Sequence, residues 1–161
     1  MLSFLWDSKE AKQQPRMTMV KKIKKVISHR DLDLPNVLWN NDNMPVIIDW
    51  ETSGWVNPTL EVIDTAWNWS GGKDYFDKNK YKLFLDTYLK EGGILDDYEI
   101  AFKADYKAKL RWFEYNLKRI TIFDFLDEEE QKLGENEVIR SADEIIKFDY
   151  YSNDMKYMKN K

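Results

Sequence analysis

Apolar and polar residues alternate along this chain with two different periods. After Pro15, Met19 or Val20, Ile23, Val26 and Ile27 recur at helical spacing with Lys21, Lys22, Lys24 and Lys25 between them, which predicts a helix. The period then shortens. "VLWN" and "PVIID" are brief runs rich in branched apolar residues, and "NDNM" between them supplies turn formers, so the pattern predicts a β-hairpin. Beyond it, Asn57 is placed to cap a helix with Pro58 in its first turn and Leu60, Val62, Ile63, Ala66 and Trp67 on its apolar face, ending at Gly71-Gly72. A second helix is predicted over 77–91, with Tyr81, Phe84, Leu85, Tyr88 and Leu89 on one stripe and Gly92-Gly93 as its stop. A third spans 97–122, and a last one starts near Glu135 with Val138, Ile139, Ala142, Ile145 and Ile146. The expected fold class is mainly α with a small β-hairpin.

Composition narrows the chemistry. At 161 residues and 43% hydrophobic content the chain is of single-domain size and can bury a real core. Its net charge of -4 gives nucleic acid no overall attraction, and a cationic partner suits it better. The four lysines of the first helix read as its solvated face. With no cysteine and one histidine, thiolate chemistry is excluded and any metal must rest on oxygen ligands. The opening "MLSFLW" is too short for a signal-peptide core or a membrane span, so no membrane association and a cytoplasmic location are expected.

The candidate chemistry lies where the helical period gives way to the strand period. In "SHRDLDLPNVLW", Asn36 sits immediately before the outgoing strand, and Asp49 closes the returning one. Antiparallel pairing then brings the two together at about the 5 Å inter-strand spacing, with Asp31 beside them. An amide and a carboxylate oxygen are donors of the kind Mg²⁺ accepts while it keeps other positions for water and phosphate. The loop also fits H-R-D-x-x-x-x-N at each fixed position, the pattern in which an aspartate orients and deprotonates an attacking hydroxyl during phosphoryl transfer.

The blocks "ISHRDLDLPNVLW", "PVIIDWETSGWVNPTLEV", "AWNWSGG" and "RWFEYNLKRI" resemble successive segments of aminoglycoside phosphotransferase and choline kinase-like enzymes, which share the protein-kinase fold. The resemblance runs from about residue 26 to 150 and covers only the C-terminal lobe of that fold. It implies a lead-in and helix start over 1–25, followed by a phosphotransferase C-lobe over 26–161, with the catalytic loop at 28–36, the hairpin at 37–49 and a helical bundle at 57–150. It implies Asp31 as catalytic base, Asn36 and Asp49 as magnesium ligands, and Mg²⁺ with ATP or GTP as cofactors. The acceptor would be a small-molecule hydroxyl compound such as an aminoglycoside, a choline-like amine or a sugar. By the same resemblance His29 holds the loop, Glu51 and Glu61 anchor it to the helices, and Arg30 stands where many relatives carry a small residue. Asp33 reads as a loop-bonding carboxylate with contact to metal or substrate as the alternative. Trp112, Phe113 and Tyr115 fit either helical packing or stacking against a cation.

A complete enzyme of this kind also needs a glycine-rich loop over the nucleotide phosphates and a strand lysine. No glycine precedes Gly54, and none of Lys9 to Lys25 lies in a strand pattern. The expectation is therefore a truncated catalytic lobe, inactive alone, with a homodimer formed through the face left open. The competing expectation is a non-catalytic binding or self-association module.

Overall fold

A computed structural model of the chain describes residues 25–72, 74–122 and 127–157. Two small antiparallel sheets precede four helices. In the first sheet β1 (Val26–Ser28) pairs with β4 (Gly54–Val56), with Val26 opposite Val56, Ile27 opposite Trp55 and Ser28 opposite Gly54. In the second, β2 (Val37–Trp39) pairs with β3 (Pro45–Ile47), with Val37 opposite Ile47 and Trp39 opposite Pro45. The second sheet is the predicted hairpin. Its turn is organised by Asn40, whose side chain accepts the amides of Asp42 at 3.0 Å and Met44 at 2.8 Å.

The first sheet corrects the sequence reading. Val26 and Ile27 were expected at the end of a helix, but they form a strand, because β4 offers them a ladder and their branched side chains suit a pleated surface. Residues 16–24 of that expected helix lie outside the described residues.

The helices follow their caps. Asn57 accepts the amides of Thr59 and Leu60 to start α1 (Pro58–Trp69), and Pro58 fills the first-turn position where no amide donor is needed. That helix ends where Gly71, at φ 75°, turns the chain left-handed and lets the Gly72 amide reach the Trp67 carbonyl at 3.0 Å. Asp77 caps α2 (Lys78–Lys90), and α3 runs over Tyr98–Ile122. The last helix, α4 (Glu128–Tyr157), starts seven residues before the expected Glu135. Asp127 accepts the Glu130 amide at 2.8 Å, and three glutamates in the first turn complement the helix dipole. Gly134, inside this helix, is a close-approach point, since a Cβ there would lie 2.5 Å from the Ile120 methyl on α3.

The core lies between α1, α3 and α4, with α2 closing one side. Trp67 is its centre, fully buried, stacked on Phe76 with ring centroids 5.1 Å apart and meeting Phe148 edge-on at 5.0 Å. Such aromatic contacts contribute about 0.5–1.5 kcal/mol each beyond simple burial. The result is a firm helical platform on which α1 carries the polar loop between β1 and β2.

Candidate active site

The loop from Ser28 to Asn36 is tied down at nearly every residue. Glu61, in the first turn of α1, accepts the Ser28 hydroxyl at 2.8 Å and the Arg30 amide at 2.7 Å through the same oxygen. Two turns further along that helix, Asn68 donates to Asp33 at 2.5 Å and Trp69 donates its indole N–H to the Leu32 carbonyl at 2.8 Å. Residues seven apart on a helix share a face, so Glu61 and Asn68 grip the loop at two points from one side. The Thr52 hydroxyl adds a bond to the His29 carbonyl at 2.9 Å.

His29 is buried and sits edge-on to Trp50, with ring centroids 4.8 Å apart. Its Nε2 donates to the Ile48 carbonyl at 2.8 Å, which joins the loop to the end of the hairpin. Nδ1 is buried with no hydrogen-bond partner. The bond to Ile48 makes this histidine a strut of the loop.

Asp31 and Asn36 are brought together directly. From the end of the short helical turn Leu34–Asn36, the Asn36 side-chain nitrogen donates back to the Asp31 carbonyl at 2.8 Å and to its carboxylate at 3.1 Å. Both bonds use the amide nitrogen, so the amide oxygen is left for other work. The Asn36 carbonyl accepts the Ile48 amide at 3.0 Å. Register therefore sets Ile48 across from Asn36, and Asp49 follows one residue beyond. There the backbone turns left-handed, at φ 62° and ψ 60°, into the short turn Trp50–Thr52. Asp49 is exposed and makes no hydrogen bond or ion pair among the described residues.

Arg30 is also left-handed, at φ 69°. This backbone state favours glycine, so an arginine here holds a strained conformation. Its guanidinium lies over Gly54, where an added Cβ would come within 2.9 Å. Glu51 sits exposed in its turn without a hydrogen bond or ion pair among the described residues, so the anchoring expected of Glu51 and Glu61 falls on Glu61 alone.

Beside Asp31 a cleft of about 550 Å³ opens between α1, α3 and α4, lined among others by Arg30, Asp33, Trp112 and Glu137. Trp112 and Tyr115 stack on each other, both half exposed, so neither packs in the core. In the floor, the Lys109 ammonium meets Asp64 at 2.8 Å and both Asp105 and Glu144 at 3.3 Å. Burial works against that charge, but Asp64 first, then Asp105 and Glu144, outweigh it and hold the ammonium well above the usual lysine range. Burial, helped by the nearby Asp64, pushes the Asp105 carboxyl up to about 7 against the opposing pull of Lys109.

Asn68, Trp69 and this charged floor were not assigned from sequence. Signals existed in the seven-residue spacing of Glu61 and Asn68 and in the four-residue spacing of Asp105 and Lys109. Neither spacing names a partner on another element.

Among the described residues no group of three or more His, Cys, Asp or Glu side chains is arranged for a metal. A divalent ion here would rest on fewer protein ligands, as Mg²⁺ does when water and phosphate oxygens complete its shell. No described helix is long and apolar enough to cross a membrane. No curated protein and no solved structure matches the chain. A family model, that of the phosphotransferase enzyme family, matches residues 5–112, a span that takes in the loop, the hairpin, α1 and α2. The chain, with its Asp31–Asn36 loop carried on a helical platform, belongs to the phosphotransferase enzyme family.

Proposed function

We propose that this chain is the catalytic C-terminal lobe of a small-molecule kinase with a protein-kinase-like fold. It would transfer the γ-phosphoryl group of ATP or GTP to a hydroxyl of an aminoglycoside, a choline-like amine or a sugar. The observation that carries this reading is the amide of Asn36 locked onto Asp31 while its backbone holds the end of the hairpin. Asp31 takes the proton of the acceptor hydroxyl as its oxygen bonds to phosphorus, and the bond from phosphorus to the nucleoside diphosphate breaks. The donor set fits a hard cation: Asn36 through its amide oxygen and Asp49 through its carboxylate would hold Mg²⁺, which when bound neutralises charge on the phosphates. Asp31, Asp33 and Glu61 on the cleft wall favour an acceptor with positive charge.

The test is transfer of labelled γ-phosphate to a panel of aminoglycosides, choline and amino sugars, with the chain alone and with a nucleotide-binding lobe supplied. Transfer that needs the added lobe and disappears in Asp31→Asn supports the proposal. Transfer that survives Asp31→Asn overturns it.

A second reading, self-association, is favoured by a different observation. Ile27, Trp39, Trp50 and Trp55, on and beside the two small sheets, are all more than half exposed. A second copy of this chain is the proposed occupant of the surface around Ile27 and Trp55, cross-strand partners in the first sheet.

A further inference from the structure

An acid-lined cleft invites a polycation, but most of its carboxylates are already engaged. Glu61 is committed to Ser28 and the Arg30 amide, Asp33 to Asn68, and Glu137 to Arg140 at 3.2 Å. The three acids of the floor converge on one internal ammonium. Lys109 reaches them from α3 with a side chain only 9% exposed, and Asp64, Asp105 and Glu144 come from α1, α3 and α4. Glu144 is fixed further by the Trp67 indole N–H at 3.1 Å. One Asp105 oxygen stays buried with no partner, so the floor holds more acceptor capacity than its lysine uses.

We infer that Lys109 is a specificity-determining residue: its ammonium occupies, between Asp64, Asp105 and Glu144, the place that a second amine of a polycationic acceptor would need. Of the proposed acceptors the cleft then takes the choline-like amine or the sugar, with at most one ammonium pairing near Asp31, and disfavours the polyamine aminoglycosides, because Lys109 closes the floor. A second cation near the floor would meet the Lys109 charge at short range, where like charges repel. Removing the lysine leaves the Asp64 and Glu144 carboxylates, beside Asp105, without a cation, a costly state that an external amine relieves. The inference rests on the cleft being the acceptor site of the proposed reaction.

Calorimetry with the full chain tests it, using ethanolamine as the single-amine probe and spermidine as the polycation. The wild-type chain is expected to bind spermidine no more tightly than ethanolamine, the reverse of what a simple acidic surface does. Lys109→Ala is expected to gain about tenfold or more in spermidine affinity and to melt at a higher temperature when spermidine is added. Equal spermidine affinity in both proteins overturns the inference. So does wild-type binding that favours spermidine, and this arm decides the matter even if Lys109→Ala does not fold. Neither arm involves nucleotide, metal or turnover, so failure here leaves the role of Asp31 standing, and loss of that role leaves these titrations interpretable.

Discussion

Glu61 accepts the Arg30 amide at 2.7 Å, and this bond couples the candidate loop to the helix that also carries Trp67, the centre of the core. The same oxygen holds Ser28, so one carboxylate satisfies two donors across 33 residues of sequence. Glu61→Ala leaves both without their protein acceptor and is expected to cost about 2 kcal/mol, while Glu61→Gln keeps an acceptor and costs less. Urea unfolding of the two variants checks the order. Equal losses would mean that the charge matters and the bonds do not.

Arg30 holds a left-handed backbone at φ 69°, a state that costs an ordinary L-residue about 1–2 kcal/mol. Arg30→Gly is expected to leave stability unchanged or raise it by up to about 1 kcal/mol, because relief of strain is partly offset by the freer unfolded chain. Arg30→Val should lower it, since a β-branched side chain tolerates this conformation poorly. Thermal melts of the pair separate backbone strain from any loss of the arginine charge, which both variants share.

Asp105 makes stability depend on pH in a defined direction. Its folded-state pKa, about 7, lies above the usual value for an aspartate, so between the two the folded chain holds a proton that the unfolded chain has released. That contribution is full at low pH and is lost as pH rises toward 7. Asp105→Asn removes it and still leaves Asp64 and Glu144 to pair with Lys109. Relative to wild type, the variant should gain about 1–3 kcal/mol between acidic and neutral pH, read from denaturation midpoints across that range. A difference that is flat with pH would show that Asp105 does not titrate there.

The exposed apolar face predicts concentration-dependent dimerisation by light scattering. Ile27→Lys and Trp55→Lys, on neighbouring strands, should shift the equilibrium toward monomer, because each places charge where apolar surface would be buried. A chain that is monomeric at every concentration, with or without these changes, removes the second-copy reading.

Much of this was legible from local signals. Asn57-Pro58 and Asp77 mark helix starts by a chemistry that needs only the next three residues, and Asn40 to Asn43 make a turn for the same reason. The Asp31–Asn36 contact was legible as well, since both ends lie in one short loop. Val26 and Ile27 misled because a branched apolar run fits a helix face as well as a strand, and the partner that decides, Trp55, lies 28 residues away. The close packing at Gly134 is likewise set by a residue on another helix, Ile120. The Lys109 floor depends on three helices meeting, and no single stretch of sequence encodes that meeting.

The central claim is that Asn36 and Asp49 hold one divalent cation beside Asp31. Titrating Mn²⁺ in place of Mg²⁺ into isotopically labelled chain, and following the paramagnetic broadening of backbone amide signals by NMR, tests it most directly. Selective broadening at residues 31–36 and 48–50, abolished in Asp49→Asn, is the predicted result. Broadening that spares this loop, or that persists unchanged in Asp49→Asn, would contradict it.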